Sequence, residues 1–255
     1  MTKDAPDSPQ LVQLLASWDA QQDAYVPQRN RRFHVIAEAV QAACGPRPTI
    51  LDLGCGTGTL LHMIGQKLPE STLVGLDSDP VLLRLARTRL GHAARLLDSD
   101  LLTGAWLGDA ESFAPYDAIV STTALHWLGE ESLAAAYRWS AQLLRPGGIF
   151  INADTMPAAL GRIGRILTVL AGTPTTDLWS SWWRAAEMSS DLAPEFAERA
   201  ERGARRPPEF LPPAEWHVTA LSEAGLDDAM LIWRDAHEAA VAAMASNPAM
   251  EGTVL

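Results

Sequence analysis

The spacing of apolar residues near the start of the chain predicts a helix over about 11–18 and a second over about 28–44. Gly45-Pro46-Arg47-Pro48 ends the second, because neither proline can continue it. The preceding residues, rich in Pro, Asp and Ser, are expected to be frayed or loosely docked. From Thr49 the pattern changes to short apolar runs between Pro and Gly, the mark of buried parallel strands. It predicts strands at 49–53, 73–76, 94–97, 116–121 and 149–151, with helices at 59–68, 79–90 and 132–144. Leu133, Ala136, Tyr137, Ser140 and Leu144 form one stripe of the last helix, and Arg145–Gly148 reads as a turn. Regular alternation over about 49–153 implies right-handed crossover units and a doubly wound parallel sheet, an α/β fold. The regularity then breaks into helical stretches at 160–170, 177–188 and 192–202 and a Pro-rich loop at 205–213. A helix at 214–224, a turn at Gly225 and strands at 229–233 and 238–243 follow. The connection between these last strands is too short for a crossover, so they must pair antiparallel. The expected organisation is a helical N-terminal extension (1–47), a nucleoside-binding core (48–154), a helical insertion (155–215) and a closing helix and strand pair (216–255). The expected sheet is seven-stranded, mostly parallel with an antiparallel last strand.

Composition adds limits. The chain has 255 residues, 47% of them hydrophobic, enough for a substantial core. Its 20 Lys and Arg against 31 Asp and Glu give a net charge of −11, which argues against a nucleic-acid partner. With only Cys44 and Cys55, no disulfide framework is expected and a reducing compartment is the default. No apolar signal core or membrane-length run stands out, so the expectation is a soluble, cytoplasmic protein away from membranes.

The densest chemical signal is Ile50-Leu51-Asp52-Leu53-Gly54-Cys55-Gly56-Thr57-Gly58, leaving the first strand and opening the first core helix. Glycines there permit positive φ and close approach of a ligand to backbone, and the N–H groups at the helix start suit a polar or anionic group. The spacing is G-x-G-x-G, not the G-x-G-x-x-G of dinucleotide sites. Asp77 ends the second strand, where a carboxylate can accept from a ribose diol. Asp77, Ser78 and Asp79 are equally good N-caps for the following helix.

These stretches, with VGLDSDP, LLDSDLL, YDAIVSTTALHWL and LLRPGGIF, resemble the class I S-adenosylmethionine (SAM)-dependent methyltransferases over roughly residues 48–153. The pattern from DSDL to ALHWL is most similar to the trans-aconitate methyltransferase branch and related small-molecule enzymes. The resemblance implies SAM as cofactor and S-adenosylhomocysteine as product. It implies that Gly54, Gly56 and Gly58 pass under the methionine portion, with Cys55 as a small loop residue beside it. Asp77 would hold the ribose hydroxyls, with Ser78 next to it, and Asp52 would order the glycine loop and the cofactor's ammonium. Asp100 would accept from the adenine amino group and Leu101 pack on the ring, Asp98 being the second candidate. Ser121 stands at the end of the fourth strand, near the expected methyl position.

The Ser121–Trp127 segment lacks the Asn/Asp-Pro-Pro-aromatic motif of families that methylate nucleobase or glutamine nitrogens, and lacks the metal-binding Asp of catechol methyltransferases. No His/Cys cluster has metal-ligand spacing, so no metal is expected. His126 is the candidate general base, with packing or backbone hydrogen bonding as the alternative. Tyr25, Arg29, Trp127, Trp183 and His217 are candidate substrate contacts. Arg29 and Arg32 suit a carboxylate, or form a solvated basic face. Trp179, Trp182 and Trp183 share a helical face that would dock the insertion on the sheet or wall a pocket. Trp106 would cover the adenine or pack in the core. The expected function is methyl transfer to a small-molecule acceptor, a carboxylate oxygen first. The alternatives are a phenol or amine of a small molecule or peptide, or a SAM-binding protein without transferase activity. The sequence does not choose between monomer and homodimer.

Overall fold

The computed structural model describes residues 8–26, 28–158, 162–171, 177–203 and 208–247. The chain start expected to fray lies outside these except for its last residues, as does part of the Pro-rich loop. Helices α1 (Pro9–Tyr25) and α2 (Arg29–Cys44) precede strand β1 (Thr49–Leu53). Then come α3 (Thr59–Lys67), β2 (Thr72–Asp77), α4 (Pro80–Leu90), β3 (Ala94–Asp98), α5 (Trp106–Glu111) and β4 (Tyr116–Thr122). Helix α6 (Glu130–Leu143) leads into β5 (Leu144–Thr155), and α7 (Arg162–Ala171), α8 (Leu178–Glu187) and α9 (Ala193–Arg202) follow. Helix α10 (Ala214–Glu223) and strands β6 (Leu226–Asp235) and β7 (Glu238–Ala245) complete the described chain.

The strands form one seven-stranded sheet in the order β3-β2-β1-β4-β5-β7-β6. Strands β1 to β5 run parallel, and β7 lies antiparallel to both β5 and β6. The order reverses between β1 and β4, so the crevice beyond their C-terminal ends is where such sheets bind ligands. β1 sits at the centre because TILDL is buried on both faces, with Leu51 and Leu53 in one core layer and Ile50 in the other. Helix α4 starts where Asp79 accepts from the N–H groups of Val81 and Leu82, with Pro80 in its first turn.

A third apolar cluster joins α1 to the insertion: Leu11, Leu14, Leu15 and Trp18 pack against Trp182 of α8 and against Val81, Leu82 and Leu85 of α4. The aromatic stripe of α8 therefore docks on α1, not on the sheet. Trp18 meets Trp182 edge-on at 4.6 Å, and the Trp182 Nε1–H donates to the Leu14 carbonyl at 3.1 Å. The expected Arg145–Gly148 turn is instead part of β5, where a register shift beside Tyr116 and the positive φ of Gly147 (+71°) absorb the irregularity. Among the described residues no helix is long and apolar enough to cross a membrane.

Candidate active site

A cleft of about 990 Å³ opens over the C-terminal ends of β1, β2 and β4. Its floor is the glycine loop, held by backbone bonds from Gly54 N–H and Cys55 N–H to the Leu76 carbonyl at 2.8 and 2.9 Å. The loop glycines have different reasons to be glycine. Gly54 has φ +73°, and a Cβ there would lie 2.4 Å from the Ala124 Cβ, so the loop packs too tightly for any side chain. Gly56 has φ +53° and lines the cleft, yet a Cβ there would meet no protein atom within 4 Å. That open space is a cradle for a ligand.

Two acids lie beneath this loop. Asp77 lines the cleft and accepts from Gly56 N–H through Oδ2 (2.8 Å) and from Asp79 N–H through Oδ1 (2.9 Å). It therefore does the loop-ordering expected of Asp52. Burial pushes its carboxyl up to about 6, opposed by the two backbone N–H groups. Asp52, 1% exposed, has no hydrogen-bond partner for either oxygen. Burial first, and the neighbouring Asp77 second, push it up to about 8. An orphaned buried carboxylate calls for a cation, and the expected cofactor's ammonium is one. The cradle at Gly56 and Asp77 beside it thus fit a SAM-like ligand, while Asp52, orphaned in β1, stands outside the cleft lining. Capping of α4 falls to Asp79, which leaves Asp77 facing the cleft.

Ser78, Asp100, Leu101, Arg29 and Trp127 also line the cleft, with Cys55 at the loop. The Cys55 thiol is pushed well up by burial and by Asp77 and Asp52, which makes it a packing residue and not a nucleophile. Asp100 shapes its own turn, accepting from Leu102 N–H at 2.9 Å. Arg29 donates to Asp19 (3.3 Å) and Asp23 (3.1 Å), with its guanidinium 4.8 Å from the Phe33 ring centroid. Asp19 is a junction: Arg89 of α4 reaches it at 2.8 Å and Thr59 of α3 at 3.1 Å, fastening α1 over the glycine loop.

Other sequence candidates stand elsewhere. Ser121 is fully buried and spends its hydroxyl on the Leu53 carbonyl at 2.7 Å, a bond between strands and outside the cleft lining. Gly58 is likewise outside it, packed toward Leu90 of α4. Tyr25 Oη accepts from the N–H groups of Leu178 and Trp179 (3.0 and 3.3 Å), so it caps α8 and does not line the cleft. Trp183 packs among Trp18, Trp179, Trp182 and Phe196, leaving Trp179 as the α8 ring on the cleft. Trp106 is fully buried against Trp139, in the core and outside the cleft lining. Arg32 is fully buried, paired with Glu238 and close to Asp154; burial lowers its guanidinium to about 10. It is therefore no part of a solvated face.

His126 lies just off the cleft wall, its Nδ1 2.8 Å from Asp154 Oδ1 and its backbone N–H donating to Oδ2 at 3.2 Å. Although burial opposes it, His126 and Arg32 hold the Asp154 carboxyl below the ordinary carboxylate range, so it is the acceptor and His126 Nδ1 the donor. His217 is buried behind, its Nδ1 2.6 Å from Tyr137 Oη, and burial lowers it to about 4. It is a neutral core histidine and not a cleft contact.

Helix α9 contributes what sequence reasoning missed. Arg199 donates to Asp79 at 2.8 Å and stacks 4.2 Å from the Trp183 ring. Arg202 grips Asp98 through two 2.6 Å bonds and donates to the Ser78 carbonyl at 2.9 Å. Both arginines line the cleft. Their i, i+3 spacing places them on one helix face, but partners more than a hundred residues away leave no local signal. Among the described residues no group of three or more His, Cys, Asp or Glu could hold a metal ion.

Residues 51–150 match a family model described as a methyltransferase domain. The chain is 32% identical over 145 residues to a trans-aconitate 2-methyltransferase from Deinococcus radiodurans, covering 56% of this chain and 52% of that protein. It is 34% identical over 84 residues to a malonyl-[acyl-carrier protein] O-methyltransferase from Anoxybacillus flavithermus, 32% of this chain and 30% of that one. The chain spans 35–58% of the length of these trans-aconitate 2-methyltransferases, and 28–30% of the others. Among solved structures, a SAM-bound amino pentose methyltransferase from Micromonospora echinaspora superposes with TM-score 0.56 at 18% identity, over 90% of this chain and 96% of that one. An O-methyltransferase family protein from Burkholderia thailandensis gives TM-score 0.59 at 17% identity, over 94% and 63%. Likeness at that identity speaks to the fold.

Proposed function

Since the chain belongs to the class I SAM-dependent methyltransferases, we propose that it transfers the SAM methyl group to a small-molecule acceptor, with a carboxylate oxygen as the accepting atom. The single observation that carries this reading is one cleft that joins a glycine cradle with the Asp77 carboxylate beside it to an arginine set among aromatic rings. The trans-aconitate and malonyl relatives support the choice of acceptor, since both names denote carboxylate-bearing molecules.

SAM, when bound, would supply an electrophilic methyl carbon on a sulfonium, which the acceptor oxygen would take in line as the carbon–sulfur bond breaks and S-adenosylhomocysteine leaves. The protein's share is alignment and exclusion of water. Asp77 orients the ribose end, and Gly56 lets the ligand lie against backbone. Trp18, Phe33, Trp127 and Trp179 wall the cleft. Arg29 orients an incoming carboxylate by exchanging its more exposed partner, Asp23, for the acceptor, while Asp19 keeps the guanidinium in place. A carboxylate arrives ionised near neutral pH and needs no base. The helices of the insertion, reaching the cleft through Trp179, Arg199 and Arg202, act as its cover.

The His126–Asp154 pair favours a second reading, an acceptor that must lose a proton. With the proton held on Nδ1 by Asp154, the lone pair falls on Nε2, as a general base requires. The ring stands outside the cleft lining, which is why the base-free acceptor comes first.

The test is incubation with methyl-labelled SAM and a panel of di- and tricarboxylic acids, followed by mass spectrometry, with Asp77→Ala as control. The expected product carries label that mild alkali releases as methanol. Label that resists alkali refutes esterification and moves the weight to the His126-dependent acceptor. Saturable SAM binding without product across broad substrate pools would point to a non-catalytic role.

A further inference from the structure

A second groove, of about 580 Å³, lies between α8 and α9 and shares Trp179 and Arg199 with the main cleft. Its size falls within the roughly 300–1,000 Å³ of small-molecule sites. Nothing in the methyl transfer described above uses it.

A row of rings leads from the cleft into this groove. Trp18 stands 5.5 Å from Trp179, Trp179 stands 5.9 Å from Trp183, and Trp183 stands 6.2 Å from Phe196, centroid to centroid. Trp18 and Trp179 line the cleft, and Trp179, Trp183 and Phe196 line the groove. Docking of α8 on α1 buries Trp182 and its N–H, whereas the three groove rings stay half-buried and keep surface for a ligand. Arg29 is tied to Asp19, the residue after Trp18, so the end of the cleft that receives a carboxylate adjoins the first ring of the row.

The groove also says what kind of group it takes. On its rim Arg184 and Glu187, both exposed, carry opposite charges and give no net pull on an ionised group. Its walls are aromatic, and the Arg199 guanidinium lies 4.2 Å from the Trp183 ring centroid. Rings prefer edge-to-face or offset contact with another ring, and a cation beside them adds attraction for a π-face over a plain alkyl chain.

We propose that the acceptor is an aryl-substituted carboxylic acid held at two points, its carboxylate by Arg29 in the cleft and its neutral aryl tail beyond Trp179 in the groove between α8 and α9. This rests on the carboxylate reading above and narrows it. The tail forms no bond; its binding fixes where the carboxylate oxygen stands.

Methyl transfer from labelled SAM to phenylacetate, phenylpropanoate and phenylbutanoate tests this on the full chain, against alkanoates of equal length and short dicarboxylates. The best aryl acid is expected to exceed its equal-length alkanoate about tenfold in kcat/KM, the difference residing in KM. Ala200→Trp fills the groove from an exposed position on α9 and should abolish that preference, again through KM. Calorimetric binding of S-adenosylhomocysteine shows whether the variant is folded. If it is not, Arg184→Ala takes its place and should raise KM several-fold for the aryl acids but not for the alkanoates. Equal kcat/KM for aryl and alkyl acids overturns the aryl assignment. Short dicarboxylates preferred over both overturn the two-point site, and an aryl preference that survives the folded variant overturns its placement in the groove. In each of these cases the carboxylate reading stands. Cofactor binding with no methyl ester from any of the acids overturns that reading, and this inference with it.

Discussion

Gly54→Ala and Gly56→Ala place the same methyl group two residues apart in one loop, and opposite consequences follow. Both positions hold left-handed backbone, φ +73° and +53°, where an L-residue costs roughly 1–2 kcal/mol. At Gly56 little should be added, because the new Cβ meets no protein atom within 4 Å. At Gly54 the Cβ falls 2.4 Å from the Ala124 Cβ, far inside the ~3.5–4.0 Å of a favourable carbon contact. Ala124 cannot rotate away, since its Cβ moves only with the backbone. Overpacking of that kind adds about 1–3 kcal/mol, for a total of roughly 2–5 kcal/mol. Binding should rank the other way relative to stability. The Gly56 methyl takes up space in the cleft and should weaken S-adenosylhomocysteine by at least about tenfold, ~1.4 kcal/mol, in a protein that still folds. Urea denaturation of the ligand-free variants measures the first quantity, and calorimetric titration of the folded fraction the second. Two results refute the reasoning: a Gly54→Ala variant no less stable than Gly56→Ala, or a Gly56→Ala variant that binds as the wild type does.

Asp52→Asn should change the pH dependence of ligand-free stability. A carboxyl raised to about 8 contributes fully below its ordinary range near pH 4 and loses that contribution as pH rises through 8, so the Asn variant gains on the wild type from pH 5 to 8. Parallel denaturation profiles across that range would contradict this. Arg199→Ala with Arg202→Ala removes pairs that are about one-quarter to one-third exposed, each worth about 0–1 kcal/mol. Stopped-flow tryptophan fluorescence should show several-fold faster S-adenosylhomocysteine release, a difference that salt erases; an unchanged rate sinks the role of α9 as a cover. Tyr25→Phe removes the acceptor at the start of α8 and should cost about 0.5–2 kcal/mol, with faster hydrogen exchange at Leu178 and Trp179; unchanged exchange there contradicts the cap.

What could be seen in advance follows from how local each signal is. The buried strand TILDL and the glycine loop after it are contiguous, so their pattern and chemistry lie within one stretch of chain. Helix α1 was harder. Its apolar stripe supports a helix only to about Trp18, but it continues to Tyr25 because Asp19 and Asp23 pair with arginines from other helices. Helix α5 is six residues long, too short for periodicity to register, and its first residue, Trp106, went to the core. At the site, carboxylates could be proposed from strand ends, but their division of labour could not. Asp77 rather than Asp52 orders the loop because the Gly56 N–H happens to reach it, a fact of three-dimensional placement. The α9 arginines, the Tyr25 cap and the burial of His217 are likewise contacts between distant segments.

The junction at Asp19 bears on how the chain can be divided. Its carboxylate gathers Arg29, Thr59 and Arg89, so one residue of the first helix neutralises cations belonging to α2 and α4 and anchors the start of α3. Residues 51–150, which the family model matches, contain Arg89 and Thr59 but not Asp19, and end before β7 pairs with β5. Excised at those borders, the segment would expose a guanidinium without its counterion, the apolar face of α4 under Trp18 and an unpaired edge on β5. The stretch most easily related to other proteins is therefore a unit of ancestry and not a unit of folding, and a shortened protein meant to keep the cleft has to begin ahead of α1 and run through β7.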